Sequence, residues 1–499
     1  MKKRLLNRAI PVIAVPSLAL AALLLTFLLL SRSAMSATPD GEDTVPKVRA
    51  QEGPFTVSGT IVCGATGPIS DVEVYARTEG EDTVVLSDTT DSGGVYSLAL
   101  EGGSYDLDFE PPLDAGLNAR AFTTTAILTD TVIDVDFCVC SGAWITEIVD
   151  SAVNIGCTSL ELESSHPYTP HISYWASYGV APYSLKYAWL DSATWHSKTV
   201  DSGAGGEVSL ALVPTAPYTP AISYGGDNRR LKFAWLSGTT WSSMTVPGLD
   251  KCCSSLALEP VDPYNPHISH FWKWGTERTL YHRYLSGTTW MSGEWQDEPV
   301  EPAGSEVGYA SSLALEAAFP YRPRIAYYDH GRDDLKYAWL SGTIWFSETV
   351  DSVGNVGVFP SLALDSTGNP HISYLDMTNG TLKYAWKIDT IWFSGTVDSI
   401  GNLPYNAGRS LLKLDESDTV HISYYDAANG DLKYARFDGA VWIIQTIDSI
   451  GDVGTRSSLE LDKCGCPHIS YRDVTNGDLK YAYIANYGIY LPLVLRQFP

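Results

Sequence analysis

Five histidines recur at one place in a repeated pattern: His171, His267, His371, His421 and His468 each open a short His-Ile-Ser run. Imidazole is the commonest metal ligand among side chains. Ligands of one ion must, however, converge to within about 2.0–2.2 Å of it, and equivalent positions on separate units of a wide repeat cannot do so. The histidines therefore read as a repeated structural hydrogen bond at a strand start. Lysine recurs in the same way at Lys186, Lys232, Lys336, Lys383, Lys433 and Lys480. A row of ammonium groups could line a groove for an acidic ligand, but long basic side chains more often lie along the surface or pair with a neighbouring carboxylate. The Asp-x-x-Asn-Gly runs at Asp376, Asp426 and Asp473 lack the alternating acidic ligands and distal glutamate of a calcium loop. Asn-Gly instead suits a tight hairpin turn.

Crowded aromatics offer another chemistry. Phe271, Trp272, Trp274, Trp290 and Trp295 fall in one long, poorly repetitive stretch. Exposed indoles would stack on sugar rings, and buried ones would fill a sheet; Trp272, Trp274 and Trp295 stand as the ligand-binding candidates. Catalytic signals are missing. There is no G-x-S-x-G elbow and no H-E-x-x-H helix, and no cofactor is implied. The segments 237–241, 286–290 and 341–345 (SGTTW, SGTTW, SGTIW) resemble the Asp-box of sialidase propellers faintly, without its aspartate. No catalytic residue is assigned, and a glycosidase or lyase remains the least favoured reading.

The elements that would position these residues follow from the repeat. From about residue 140 four short patterns recur in order: SLAL, HISY, LKYAWL and a Trp-led segment ending near TVDS. The second pattern begins at residues 171, 221, 267, 324, 371, 421 and 468, so the unit is 46 to 57 residues long. Within each pattern apolar and polar residues alternate with period two, which predicts a strand. Four antiparallel strands in such a unit match one propeller blade. Seven copies predict a seven-bladed β-propeller over 140–486. The phase of the repeat adds a detail: the Trp-led segment 144–151 precedes the first SLEL, and the last unit lacks one of its own. Pairing these two ends would close the ring and remove the free sheet edges.

Upstream, strand signals over 53–138 alternate with Gly-rich turns and predict a small β-sandwich. The runs SGTIV, ISDVEVYA, TTDSGGVYSLAL and GGSYDLDF resemble the carboxypeptidase-regulatory-like family, which is close to Cna-B-type modules. That resemblance implies a spacer or adhesive support. It implies no Lys-based isopeptide bond, because 53–138 contains no lysine. In pattern only, the repeats resemble lectin-like and NHL-like propellers.

Composition bounds the rest. Lys2, Lys3, Arg4 and Arg8 precede an apolar run over 9–30 and small residues near 31–37, the pattern of an export signal, though the run is also long enough to span a bilayer. Residues 1–37 are thus a signal peptide or an N-terminal apolar helical anchor, 38–52 a linker and 487–499 an apolar tail. Residues 1–37 hold five basic and no acidic residues; the chain's 33 basic and 58 acidic residues therefore leave −30 on the remainder. Such a field disfavours nucleic acid. Eight cysteines suit an oxidising compartment. Cys63 and Cys138 could staple the sandwich, and Cys140 could meet Cys464 or Cys466 at the ring closure. The whole reads as an all-β, exported cell-surface or secreted binding or scaffold protein, its partner a protein or glycan on the propeller face; the alternative is a carbohydrate-binding, lectin-like propeller.

Overall fold

The computed structural model describes residues 54–484 apart from 64–66, 79–83, 102, 111–120, 128–130, 133–134, 137–139, 141–142, 152–153, 165–167, 178–182, 192, 204–205, 227–229, 250–253, 275–276, 288, 291–292, 303 and 404–408. The export segment, the linker, the tail and the Cys63–Cys138 pairing lie outside the described residues, as do the side chains of Trp272 and Trp274. The described residues are all β, with no helix.

Residues 55–136 build two sheets. One pairs Phe55–Cys63 with Val95–Leu100, Gly67–Pro68 and two short segments near residues 131–136; the other runs Val84–Thr89, Glu73–Thr78, Gly103–Glu110, Ala121–Ile127. The alternation read from sequence is used directly: Tyr96, Leu98 and Leu100 point inward from one strand onto Val57, Ile61, Val74 and Phe109. A closed apolar core results.

Seven further four-stranded antiparallel sheets follow. The first comprises Asn154–Leu162, Pro170–Ser177, Ser184–Asp191 and Thr194–Ser202. Sheets two to six repeat its order, starting at Val208, Ser255, Val307, Val356 and Ser410. The seventh takes Val453–Leu461, Pro467–Asp473 and Leu479–Ile484 from one end of this region and Trp144–Asp150, its outermost strand, from the other. Innermost strands touch in a closed cycle, the seventh meeting the first. The arrangement is propeller-like. Cys140 and Cys466 form a disulfide with Cα atoms 5.3 Å apart, beside the strand pairing that joins the two ends. Cys464, the alternative partner on sequence, is not the one bonded to Cys140; Asp462 Oδ1 caps the turn by accepting the backbone N–H of Cys464 and of Cys466 at 2.9 Å.

Side chains that recur in sequence recur as bonds between sheets. Each outermost-strand Trp meets, edge to face, the third-strand ring of the preceding sheet: Trp195–Tyr481, Trp241–Tyr187, Trp295–Phe233, Trp345–His282, Trp392–Tyr337, Trp442–Tyr384 and Trp144–Tyr434, with centroids 5.2 to 5.8 Å apart. Such pairs contribute about 0.5–1.5 kcal/mol each beyond area burial. The recurring lysine is consumed too. With the HISY tyrosine it binds a carboxylate from the preceding sheet: Tyr224 and Lys232 on Asp201, Tyr374 and Lys383 on Asp351, Tyr424 and Lys433 on Asp398, Tyr471 and Lys480 on Asp448. Asp150 and Glu301 serve the first and fourth sheets in the same way. The recurring histidine bonds a third-strand tyrosine through Nδ1, as in His371–Tyr384 and His421–Tyr434 at 2.5 Å, and reaches an Asp or Glu through Nε2. Neither set is left for a metal or an acidic ligand.

The axis of the cycle is a cavity lined by all seven innermost strands. Its wall is stitched by serine: Ser159, Ser209, Ser255, Ser312, Ser361 and Ser458 each accept, at 3.0 Å, the backbone N–H of the leucine in the following sheet. Leu411 occupies the seventh such position. Two residues further along each strand the wall carries Glu161, Lys413 and Glu460, with alanine on the other four sheets. Lys413 pairs with Glu460. Burial, and Glu460 beside it, push the Glu161 carboxyl up to about 8 against the opposing pull of Lys413. A folded pKa above the unfolded one means this group's contribution is complete below about pH 4.5 and is lost as pH rises through about 8. Glu161→Gln should therefore match the wild type at pH 4 and exceed it by on the order of 2 kcal/mol at pH 8.5, read from urea midpoints. Equal pH slopes for the two proteins would contradict this placement.

Candidate functional site: the cleft between the fifth and sixth sheets

With the repeated residues engaged, a site has to arise where the repeat is broken. The outermost strands carry, three residues before the latch carboxylate (Pro247 in the second sheet), Glu147, Lys198, Met244, Glu298, Glu348, Gly395 and Gln445. In five sheets this side chain accepts the indole N–H of the next sheet's Trp: Glu147 from Trp195, Met244 from Trp295, Glu298 from Trp345, Glu348 from Trp392 and Gln445 from Trp144. Lys198 has no acceptor to offer and donates to the Thr239 carbonyl. Gly395 has no side chain at all, and a Cβ built there would meet nothing within 4 Å. Trp442, which faces it, finds no acceptor for Nε1 among the described residues.

The space so left is a cleft of ≈ 740 Å³ between the fifth and sixth sheets, within the range of small-ligand sites, about 300–1,000 Å³. Trp386 forms one wall, stacked on Tyr384 at 5.1 Å and on Phe393 at 5.6 Å. Trp442 and Phe437 form the other, with centroids 5.2 Å apart. Polar groups surround these faces. Arg436 is exposed and stands where the repeat has Trp189, Trp235, Trp339 and Trp386. Asp418, from the turn before the second strand, accepts Ser366 N at 2.8 Å and Ser366 Oγ at 2.6 Å, tying the two sheets at the lip. Asp438, in the turn after the third strand of the same sheet, also lines the cleft; the N–H groups of Val441 and Ala440 hold its carboxyl below the usual range. His371 is pulled below its ordinary value by burial, so it is neutral and serves as a hydrogen-bonded support for Tyr384. The cleft thus offers flat apolar faces, a free indole donor, a guanidinium and two carboxylates. Its walls are apolar and its rim carries donors and acceptors.

The neighbouring gap shows what fills such a space when it is not a site. Between the fourth and fifth sheets Lys387 lies over Trp339 at 5.3 Å and Trp392 at 5.6 Å, and pairs with Glu348. That gap is plugged.

Of the sequence candidates, Trp295 is engaged within the fold. It packs edge-on against Phe233 and donates to Met244 Sδ at 3.2 Å, as its repeat equivalents do. Trp290 likewise packs against Phe233 and Trp235 and donates to the carbonyls of Pro263 and Tyr264. The irregularity of the third unit has another cause: a polar network replaces the usual latch. Arg283 donates to His270 at 2.6 Å and pairs with Asp297, while His282 bonds Glu298 at 3.0 Å. Burial drives His270 down to about 3 and His282 to about 4, so both rings are neutral. Sequence reading missed Trp386, Gly395, Arg436 and Trp442. Aligning the seven units position by position would have exposed Gly395 and Arg436 as the departures.

No family model matches the chain, and no curated sequence matches it. The resemblance of 53–138 to carboxypeptidase-regulatory-like modules rests on its motifs alone. Among solved structures the chain is similar to the BP39L lectin from Burkholderia pseudomallei, at 15% identity over 70% of this chain and 99% of that one, with a TM-score of 0.50. Looser likenesses include the fucose-specific lectin from Aleuria aurantia (12% identity, 61% and 99% coverage, TM-score 0.41) and a leech intramolecular trans-sialidase (9%, 87% and 94%, TM-score 0.39). The first likeness is one of fold: an all-β, propeller-like array of four-stranded sheets.

Proposed function

We propose that the chain is a lectin-like, seven-bladed β-propeller that binds carbohydrate in the cleft between its fifth and sixth blades. The observation that carries this is the gap opened by Gly395, with Trp386 and Trp442 as aromatic walls and Arg436 at the rim. A pyranose presents C–H groups on its face and hydroxyls on its edge, which is the complement of those walls and donors. The structural neighbour BP39L is named a lectin, which supports this reading over that of a protein-binding scaffold. The sandwich would act as a spacer between the propeller and an N-terminal export segment, cleaved or retained as an anchor, so that the cleft faces outward from the producing cell.

A glycan array on the full chain tests this, followed by titration of the best saccharide. Arg436→Ala should weaken that binding at least about tenfold, since a hydrogen bond to a charged group contributes about 1.5–3 kcal/mol. The side chain is exposed, so folding should be unaffected. An array with no saccharide bound, or binding indifferent to Arg436→Ala, would sink the proposal.

A further inference from the structure

The axial cavity has a second polar tier, on the opposite side of the serine stitches from Glu161. Two residues before each stitching position the innermost strands carry Cys157, Glu207, Cys253, Ala310, Phe359, Arg409 and Arg456, of which Cys253 lies outside the described residues. The charged members face one another across the axis. Arg409 of the sixth sheet pairs with Glu207 of the second. Arg456 of the seventh lies 3.9 Å from the same carboxylate and touches the Cys157 thiol. From the second strand of the seventh sheet, Arg472 donates to Asn154 Oδ1 at 2.8 Å, and its Nε is buried with no partner among the described residues. Arg409 also lines a narrow chamber of ≈ 90 Å³ with Thr158, Ser254, Ser311, Ser410 and Phe359.

Three guanidinium groups thus converge where, among the described residues, a single carboxylate pairs with two of them. Asp452, which accepts the Tyr425 hydroxyl at 2.9 Å, adds some relief to Arg472, and Cys157 adds some to Arg409 and Arg472. The imbalance is local, since the chain as a whole is strongly acidic. Burial pulls both Arg409 and Arg472 below the ordinary arginine value, and Arg456 pulls the same way while Cys157 opposes. The other tier offers no compensation. It lies four residues along the strand, about 13 Å away, and near pH 7 its Lys413–Glu460 pair and protonated Glu161 sum to zero. Cationic groups removed from bulk water and not fully paired are costly, and an oxyanion with several acceptor oxygens matches guanidinium forks better than any other small counter-ion.

We propose that the axial cavity binds a small oxyanion between Arg409 and Arg456, with Arg472 behind them, at a site separate from the carbohydrate cleft. Glu207 competes for these arginines and sets the affinity.

Titration calorimetry of inorganic phosphate into the full chain, against chloride at matched ionic strength, tests this. Saturable binding of one phosphate per chain is expected, weakened at least about tenfold by Arg456→Gln. Because loss of an arginine partnered to Glu207 could perturb folding, Glu207→Gln is the decisive variant. It removes the competing charge and leaves every arginine in place, so phosphate should bind several-fold tighter. Arg436→Ala, in the cleft, should leave phosphate binding unchanged. No saturable binding by either the wild type or Glu207→Gln, or affinity unmoved by Glu207→Gln, would overturn the proposal without touching the carbohydrate site.

Discussion

Replacing Cys140 with serine should lower the stability of the ring by about 4 kcal/mol or more. The disulfide it forms with Cys466 spans 326 residues of sequence, and the chain-entropy estimate grows with the logarithm of the loop it closes, passing about 4.7 kcal/mol for a loop of about 100 residues. The bond also sits at the one place where chain connectivity does not hold a sheet together. Trp144–Asp150 belongs to the seventh sheet only through its ladder to Leu479–Ile484. Yet this strand carries two of the repeated contacts, Trp144 on Tyr434 and Asp150 on Tyr174 and Lys186. If it frays, both neighbouring junctions are lost with it. A denaturant series followed by tryptophan fluorescence should show a lower midpoint for Cys140→Ser, and the Cys464→Ser control should lose much less. An equal loss in Cys464→Ser would mean that the closure is made by a different pair.

The second large effect is expected at the carboxylate latches. Asp448 accepts the Tyr471 hydroxyl at 2.7 Å and the Lys480 ammonium, and its side chain is only 4% exposed. Asp448→Ala leaves that ammonium in a half-closed junction without a partner, and breaking one side of a buried pair typically costs about 3–5 kcal/mol. Tyr471→Phe removes one neutral donor and should cost about 1 kcal/mol. The same latches set the acid limit of the fold. Burial pushes the carboxyls of Asp351 and Asp448 up, but the lysine and tyrosine bonds outweigh it and hold both below the usual range. Backbone and side-chain donors in their turns hold Asp365 and Asp415 at about 2. A depressed folded pKa means stability present above the unfolded value, near 4, and lost as pH falls through the folded one. Stability should thus fall steeply between about pH 4 and pH 2, and Asp448→Ala should flatten that slope; an unchanged slope would show that the latch is not formed.

Much of this architecture is legible in sequence because it is repeated. HISY and LKYAWL alternate with period two, so the strands, their number and the pairing of the first Trp-led segment with the last unit all follow from spacing. The uses of His371 and Lys383 were legible in kind, as structural bonds, though not in partner: Tyr384 comes from the adjacent strand of the same sheet, and Asp351 comes from the preceding sheet, which only the packing of one sheet on the next brings close. The cleft residues were passed over for a related reason. Trp272, Trp274 and Trp295 attract attention because their unit is irregular, whereas Trp295 keeps the packing role of its equivalents and the irregular residues bond within the unit, Arg283 to His270 and Asp297, His282 to His267 and Glu298. At the cleft the informative residue is a missing side chain. A glycine in a turn-rich chain with 42 of them signals nothing until its six equivalents are seen to reach across a junction.

That missing side chain gives the most direct test of the carbohydrate assignment. Gly395→Gln installs the residue that the sixth sheet carries as Gln445, where Oε1 accepts the Trp144 indole N–H at 3.2 Å, in a position with open space to receive it. Saccharide titration of this variant should show binding abolished while the unfolding midpoint stays level or rises, because the new side chain occupies the cleft and bonds Trp442. Undiminished saccharide affinity in a folded Gly395→Gln protein would place the ligand somewhere other than between the fifth and sixth sheets.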